Sequence, residues 1–204
     1  MFKKILITLL ILAVIGGIMA LIHHLRVAHR NKKELANFSQ ETPYTAQLGK
    51  VLVIYYSWTG HTQDIANQIT TLTKADTYRI QTQEEFKSSP AFYARIKKEL
   101  NNKIYPPLIE PLPDVNPYDV VFVGGPVWWY TMATPLYSFL GKIDFKGKRV
   151  IPFSTQGSNP GTFLKDFTAT VNNAQVGTYA NFNNVGPEYN KAVHNKIVHW
   201  LNNL

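Results

Sequence analysis

Lys50-Val-Leu-Val-Ile-Tyr-Tyr56 is a continuous apolar run, short and rich in β-branched and aromatic residues, and Ser57-Trp-Thr-Gly-His-Thr62 follows it directly. A run without polar alternation predicts a strand covered on both faces, as in a parallel sheet. Ile65, Ala66, Ile69 and Leu72 then recur at helical spacing and predict a helix over 62–73. The hexapeptide between them carries the hydroxyls of Ser57, Thr59 and Thr62, a glycine at 60, and the free amides of a helix start, with His61 as its one ionisable side chain. That inventory suits an anion held by backbone N–H groups and the helix dipole, a phosphate monoester above all. An ordinary helix cap by Ser57 or Thr59 accounts for the same residues. The loop has neither the Gly-Lys-Ser/Thr end of a P-loop nor a G-x-G-x-x-G turn. It also lacks the acids a phospho-accepting receiver domain needs for its metal.

Outward from this stretch the alternation continues. Thr77–Ile80 is a short strand candidate, Pro90–Asn101 a helix opened by proline, and Tyr105–Pro117, with five prolines, an extended connection. Val120–Val123 predicts a second buried strand, ended by Gly124-Gly125-Pro126; a short helix over Pro135–Leu140 follows. Val150–Phe153 predicts a third strand, in which Pro152 lacks a ladder donor and predicts a bulge or weak pairing. A helix over 161–171, a last strand over 176–182, and a closing helix striped by Val193, Ile197, Trp200, Leu201 and Leu204 complete the pattern. Alternating apolar strands and helices predict a parallel sheet with helices on both faces. Ligands of such sheets bind outside the carboxyl ends of the strands, where the strand order reverses.

Two more loops fall at those ends. Gly124–Pro135 contains three consecutive aromatics, Trp128, Trp129 and Tyr130, where a loop is usually polar. They predict a surface for a flat, partly apolar ligand, with at least one ring plugged into the core and one lining the site. Ser154–Gly161 offers small side chains and free backbone groups, and it is not a G-x-S-x-G nucleophile elbow.

Composition sets the outer limits. The chain has 204 residues and no cysteine, which excludes disulfides, thiolate zinc sites, cysteine-based phosphatases and a lipoprotein anchor. Its formal charge of +8 is concentrated at the start. Residues 1–33 hold six Lys or Arg and no acid, whereas the rest holds 15 bases and 13 acids, so nucleic acid is not an expected partner. Ile5–Ile22 is 18 residues without charge, about 27 Å as a helix and enough to span a hydrocarbon core. It is long for the core of a cleavable signal and no small-x-small site follows, so residues 1–25 read as a single-pass membrane anchor. Arg26, Arg30, Lys32 and Lys33 after the span outnumber Lys3 and Lys4 before it, which favours a cytoplasmic domain; the leading Lys-Lys also fits an export signal. Residues 26–47, polar and basic with no apolar stripe after Leu25, predict a linker that continues the helix briefly and then runs as a spacer to near Pro43, lying near anionic headgroups, and 48–204 the folded domain.

Together, KVLVIYYSWTGHT, YDVVFVGGPVWW and KGKRVIPFSTQGS, in this order and each after a strand, resemble the flavodoxin family, in particular its branch with a short sheet and Trp-Trp after the third strand. The resemblance covers residues 48–204. It implies a flavodoxin-like three-layer sandwich with a five-stranded parallel sheet of order 2-1-3-4-5, and FMN as cofactor. It assigns the phosphate loop to Ser57, Trp58, Thr59, Gly60, His61 and Thr62. The first isoalloxazine loop falls on Pro126, Val127, Trp128, Trp129 and Tyr130, and the second on Thr155, Gln156, Gly157 and Ser158. His61 stands where the family usually has Asn, and Gln156 with Asn159 replaces paired glycines. The domain also lacks the strong acidity of soluble electron-carrier flavodoxins, so their partner class is not implied. The function expected is electron transfer or NAD(P)H/quinone-type oxidoreduction at the membrane, with a redox protein, a nicotinamide or a quinone as partner. No side chain presents itself as an acid–base catalyst. The competing expectation is a membrane-anchored binding module that kept the fold and lost the flavin.

Overall fold

The structure, a computed structural model, describes residues 2–204, with side chains from Ile5 onward. Met1 and the side chains of Lys3 and Lys4, at the head of the expected anchor, lie outside the described part. A long helix α1 (Phe2–Ala36) leads the chain. There follow β1 (Val51–Tyr55), α2 (His61–Thr73), β2 (Asp76–Arg79), α3 (Pro90–Asn102), β3 (Val120–Trp128), β4 (Thr131–Met132) and α4 (Thr134–Lys142). The chain closes with β5 (Lys148–Gln156), α5 (Phe163–Thr170), β6 (Ala174–Val176), β7 (Ala180–Asn183) and α6 (Asn190–Asn202), the last entered through a 3-10 turn at Pro187–Tyr189.

The sheet runs β2-β1-β3-β5-β6, with β7 also beside β5 and β4 folded back on β3. Every pairing is parallel except that of β4. This is the expected five-strand order with its last strand divided. β6 pairs with Lys148–Val150 and β7 with Phe153–Gln156, so the ladder is interrupted opposite Ile151 and Pro152. Val150 turns its carbonyl to that edge, accepting from Gly177 N–H at 2.8 Å. By the two-residue period of a strand, Pro152 faces the same edge, and its missing N–H coincides with the gap. The weak pairing predicted at this proline is therefore on the edge side, while the pairing of β5 with β3 runs unbroken and carries no bulge.

That same period builds two cores. Leu52, Ile54, Val121 and Val123 face α3, α4 and α5, meeting Phe92, Ile96, Leu136, Phe139 and Phe167. Val51, Val53, Phe122 and Ile151 face the other way, onto Ile65 and Ile69 of α2 and Ile197, Trp200 and Leu201 of α6. The result is the three-layer sandwich, held by apolar side chains each worth roughly 1.5–3 kcal/mol when fully buried.

Two expectations are corrected. Gly124-Gly-Pro does not end the third parallel segment. β3 continues through it to Trp128, because Pro126 presents its main chain to the side that β1 has already vacated, where Tyr56 N–H bonds Gly124 C=O and Ala133 N–H bonds Pro126 C=O. The expected aromatic loop is thus a hairpin, β3 returning as β4 through a turn at Trp129 and Tyr130. In the expected linker over 26–47 the helix does continue, as far as Ala36, but the segment is docked rather than a free tether, with Asn31 and Leu35 buried against the domain. Polar groups provide most of this docking face, which is why no apolar stripe announces it. Preceding it, the Ile5–Ile22 run is exposed and is long and apolar enough to cross a membrane, with a mean hydropathy of 3.0.

Candidate functional site

The chain leaves β1 toward β2 on one side and leaves β3 toward β5 on the other, so the strand order reverses between β1 and β3. At the carboxyl ends there, a cleft of about 570 Å³ opens, a size typical of small-molecule sites.

One wall is the turn into α2. Gly60 holds φ +97°, a conformation costly for other residues, and no side chain caps the helix. The helical ladder begins only with Asp64 N–H donating to Gly60 C=O at 2.9 Å, so the amides ahead of it have no intrahelical partner. Gln63 gives its N–H to Ser57 Oγ at 3.3 Å. Thr59 and His61 line the cleft; Ser57 and Thr62 are buried and Gly60 is half-buried, and these three are not part of its lining. Thr62 Oγ1 and Thr155 Oγ1 share a hydrogen bond of 2.7 Å, which joins this turn to the end of β5.

Aromatic residues form the opposite wall. Trp128 is 7% exposed and packs edge-on against Tyr56, Trp58, Phe86 and Phe92. Trp58 stacks on Phe92 with centroids 3.9 Å apart, and its indole N–H donates to Phe86 C=O at 2.8 Å. Burial in this cluster pushes the Tyr56 phenol above its ordinary value. Trp129 and Tyr130, by contrast, are 48% and 63% exposed. Trp128 is thus the ring expected in the core, and its two neighbours stand at the cleft rim. Both rim residues hold positive φ, 50° and 61°. This is the left-handed pair that a tight hairpin turn demands and that Asn-Gly usually fills. Two bulky rings kept there make a strained turn at the cleft rim.

The third segment is largely strand, and only Gly157 onward is loop. Thr155, Gln156, Gly157 and Ser158 line the cleft. The side chain of Gln156 does not project into open space. Its Nε2 donates to Asn181 Oδ1 and Asn183 Oδ1 at 2.9 and 3.1 Å, and its Oε1 accepts from Ser154. This buried amide fixes the backbone it belongs to, so Gln156 is a positioning residue for the loop.

Of the 15 site residues expected from sequence, 12 line one cleft. Reasoning from loops missed Phe92, Tyr93 and Ile96 of α3, and Asn184. The Phe92-Tyr93 pair just after Pro90 was the available signal. Arg79, whose Nη2 lies 3.4 Å from Ser57 C=O, is a cation near the first turn that motif reading also passed over. No Lys, Arg, Asp or Glu lines the cleft among the described residues.

A doubly wound α/β protein with an amide-rich helix start facing an aromatic rim is the architecture of mononucleotide binders. Residues 50–204 match the family model for flavodoxin, and the chain belongs to that family. Comparison with curated proteins found no match. Among solved structures it resembles a Lactobacillus acidophilus flavoprotein in complex with FMN, at 25% identity and TM-score 0.60, over 65% of this chain and 93% of that one. It also resembles proteins described as flavoproteins from Bacteroides uniformis (26%, TM-score 0.62, 76% and 99%) and Bacteroides eggerthii (27%, TM-score 0.61, 75% and 96%).

Proposed function

We propose that this chain is a membrane-anchored FMN protein that passes electrons between a soluble donor and a membrane acceptor. The observation that carries the reading is the cleft itself. It puts Thr59 and the His61 start of α2, whose amide has no intrahelical partner, at one end, an aromatic rim at the other, and no Lys, Arg, Asp or Glu between them among the described residues. The residues present fit FMN. The α2 turn would hold the phosphate through N–H groups and the helix dipole, and Trp129, Tyr130 and the backbone from Thr155 to Ser158 would hold the ring. The cofactor would supply the chemistry of accepting and giving one or two electrons.

What the chain supplies is placement and electrostatics. Trp128 and the rings beneath it exclude water from the inner wall. The Thr62–Thr155 bond and the Gln156 amide fix the distance between the anion cradle and the ring loops. No Lys or Arg lines the cleft wall among the described residues, so negative charge that a bound flavin would gain on reduction would not be offset there, which would favour a low potential. The apolar helix argues for a lipid-soluble quinone as acceptor and a nicotinamide or a redox protein as donor, since anchoring raises the local concentration of a membrane partner. The bases following the span favour a cytoplasmic domain.

The test is turnover by the FMN-loaded full chain in vesicles containing a quinone, with NADH or NADPH supplied. Quinone reduction that depends on both FMN and the reductant is expected. No turnover with either nicotinamide overturns the nicotinamide donor, and photoreduced protein that also fails to reduce the quinone overturns the quinone.

A further inference from the structure

The direction of α1 against the domain is fixed by a ladder of contacts. Asn183, the last residue of β7, donates from Nδ2 to Asn31 Oδ1 at 2.7 Å. Lys196 of α6 reaches Glu34 and the Asn181 carbonyl, each at 2.5 Å. Asn195 donates to Phe38 C=O at 2.8 Å, and the Phe38 ring meets His199. Asn202, at the end of α6, binds the backbone of Pro43, Thr45 and Ala46. Helix α6 itself runs back along β7, since Lys196 meets Asn181 while Trp200 donates to Thr178, ahead of that strand. Rising residue numbers from 31 to 46 therefore descend from the carboxyl end of the sheet toward its amino end. Falling numbers go the opposite way, and the apolar run projects outward past the carboxyl ends of the strands. That is the end at which the cleft opens.

The spacing is short. Asn31 lies nine residues from Ile22, about 14 Å of helix; Arg26 and Arg30 occupy that interval as exposed bases, and Lys32 and Lys33, also exposed, follow Asn31 directly. The cleft rim at this end exposes Trp129, Tyr130 and Tyr93, which is 61% exposed, with Lys97 5.8 Å from the Trp129 ring centroid. Half-wet aromatics beside cations are the residue types that settle at a bilayer interface. Asn31 is also two hydrogen bonds from the cleft, because Asn183, which donates to it, accepts from Gln156, a lining residue.

We infer that α1 is a rigid post rather than a leash, and that it holds the cleft mouth and its Trp129–Tyr130–Tyr93 rim against the headgroup layer of the bilayer. This rests on the reading of α1 as a membrane span and adds to it which face of the domain meets the lipid. The bases favour an anionic surface. The docked helix imposes the orientation even on a neutral one, so the test uses neutral lipid.

The full chain is reconstituted in phosphatidylcholine vesicles carrying a headgroup spin label, and indole fluorescence quenching is compared in three proteins. These are the wild type, Trp129→Phe, and a variant with a Gly-Ser insert of about twenty residues between Leu25 and Arg26, which spreads over about 25 Å. Quenching in the wild type that is lost in both variants is the result expected. Equal quenching with and without the insert, or none in a wild type that sediments with the vesicles, overturns the orientation while leaving the anchor intact. Protein that stays in the supernatant overturns the anchor, and the orientation with it.

Discussion

The hydroxyl of Thr131 donates to Asp166, so the strand returning from the aromatic turn is tied to the helix behind the third loop. Thr162 donates to the same carboxylate oxygen at 2.5 Å, and its N–H binds Tyr130 C=O at 2.7 Å. One carboxylate thus couples both segments expected to hold the flavin ring. Asp166→Ala removes two charge-assisted bonds, each worth about 1.5–3 kcal/mol. FMN affinity should fall about tenfold, near 1.4 kcal/mol, measured by quenching of flavin fluorescence. Unchanged affinity in a folded variant would show that the two segments act independently.

The hairpin turn supports a second prediction, in which stability and binding move apart. Trp129→Asn with Tyr130→Gly places the preferred residue types in the left-handed positions. Relief of strain should stabilise the domain by about 1–3 kcal/mol, a rise of several degrees in melting temperature. FMN affinity should fall in the same protein because the rim rings are gone. A lower melting temperature would mean the rings contribute more packing than their backbone costs.

Alkaline sensitivity follows from two tyrosines. Burial, above all, pushes both Tyr137 and Tyr179 up to about 12. Tyr137 donates to Thr131 at 2.6 Å and Tyr179 to Ser154, so each bears on a site segment. Their folded values lie above the ordinary value near 10. The stability they contribute is complete below pH 10 and is lost as pH rises through 12. Thermal unfolding from pH 8 to 12 should show a progressive fall above pH 10, shallower in Tyr179→Phe. A melting temperature flat to pH 12 would contradict this.

Elements with one physical signature were legible in the sequence. β1 is wholly apolar because both faces are covered, and α2 shows its buried Ile65, Ala66 and Ile69 at helical spacing. The hairpin was not legible, because Gly124-Gly125-Pro126 reads locally as a terminator. Only the absence of β1 beside Pro126, a tertiary fact, lets the strand continue. The docked part of α1 was hidden for a related reason. Asn31 and Glu34 engage Asn183 and Lys196, more than 150 residues away, through polar groups that leave no periodic apolar trace. At the site, the loops announced themselves by composition. The α3 wall did not, since Phe92 looks like any core aromatic until Trp58 is found stacked on it.

The account turns on whether the cleft takes FMN with its phosphate on the α2 turn, and a flavin absorbance titration of the full chain against Thr59→Asp tests this most directly. Thr59 is exposed at the cleft wall, so the new carboxylate opposes a phosphate without disturbing the core. Saturable binding by the wild type, and at least about a thirtyfold loss in a variant of unchanged melting temperature, near 2 kcal/mol, is the predicted result. A wild-type protein that neither binds FMN nor gains thermal stability from an excess of it would contradict the account.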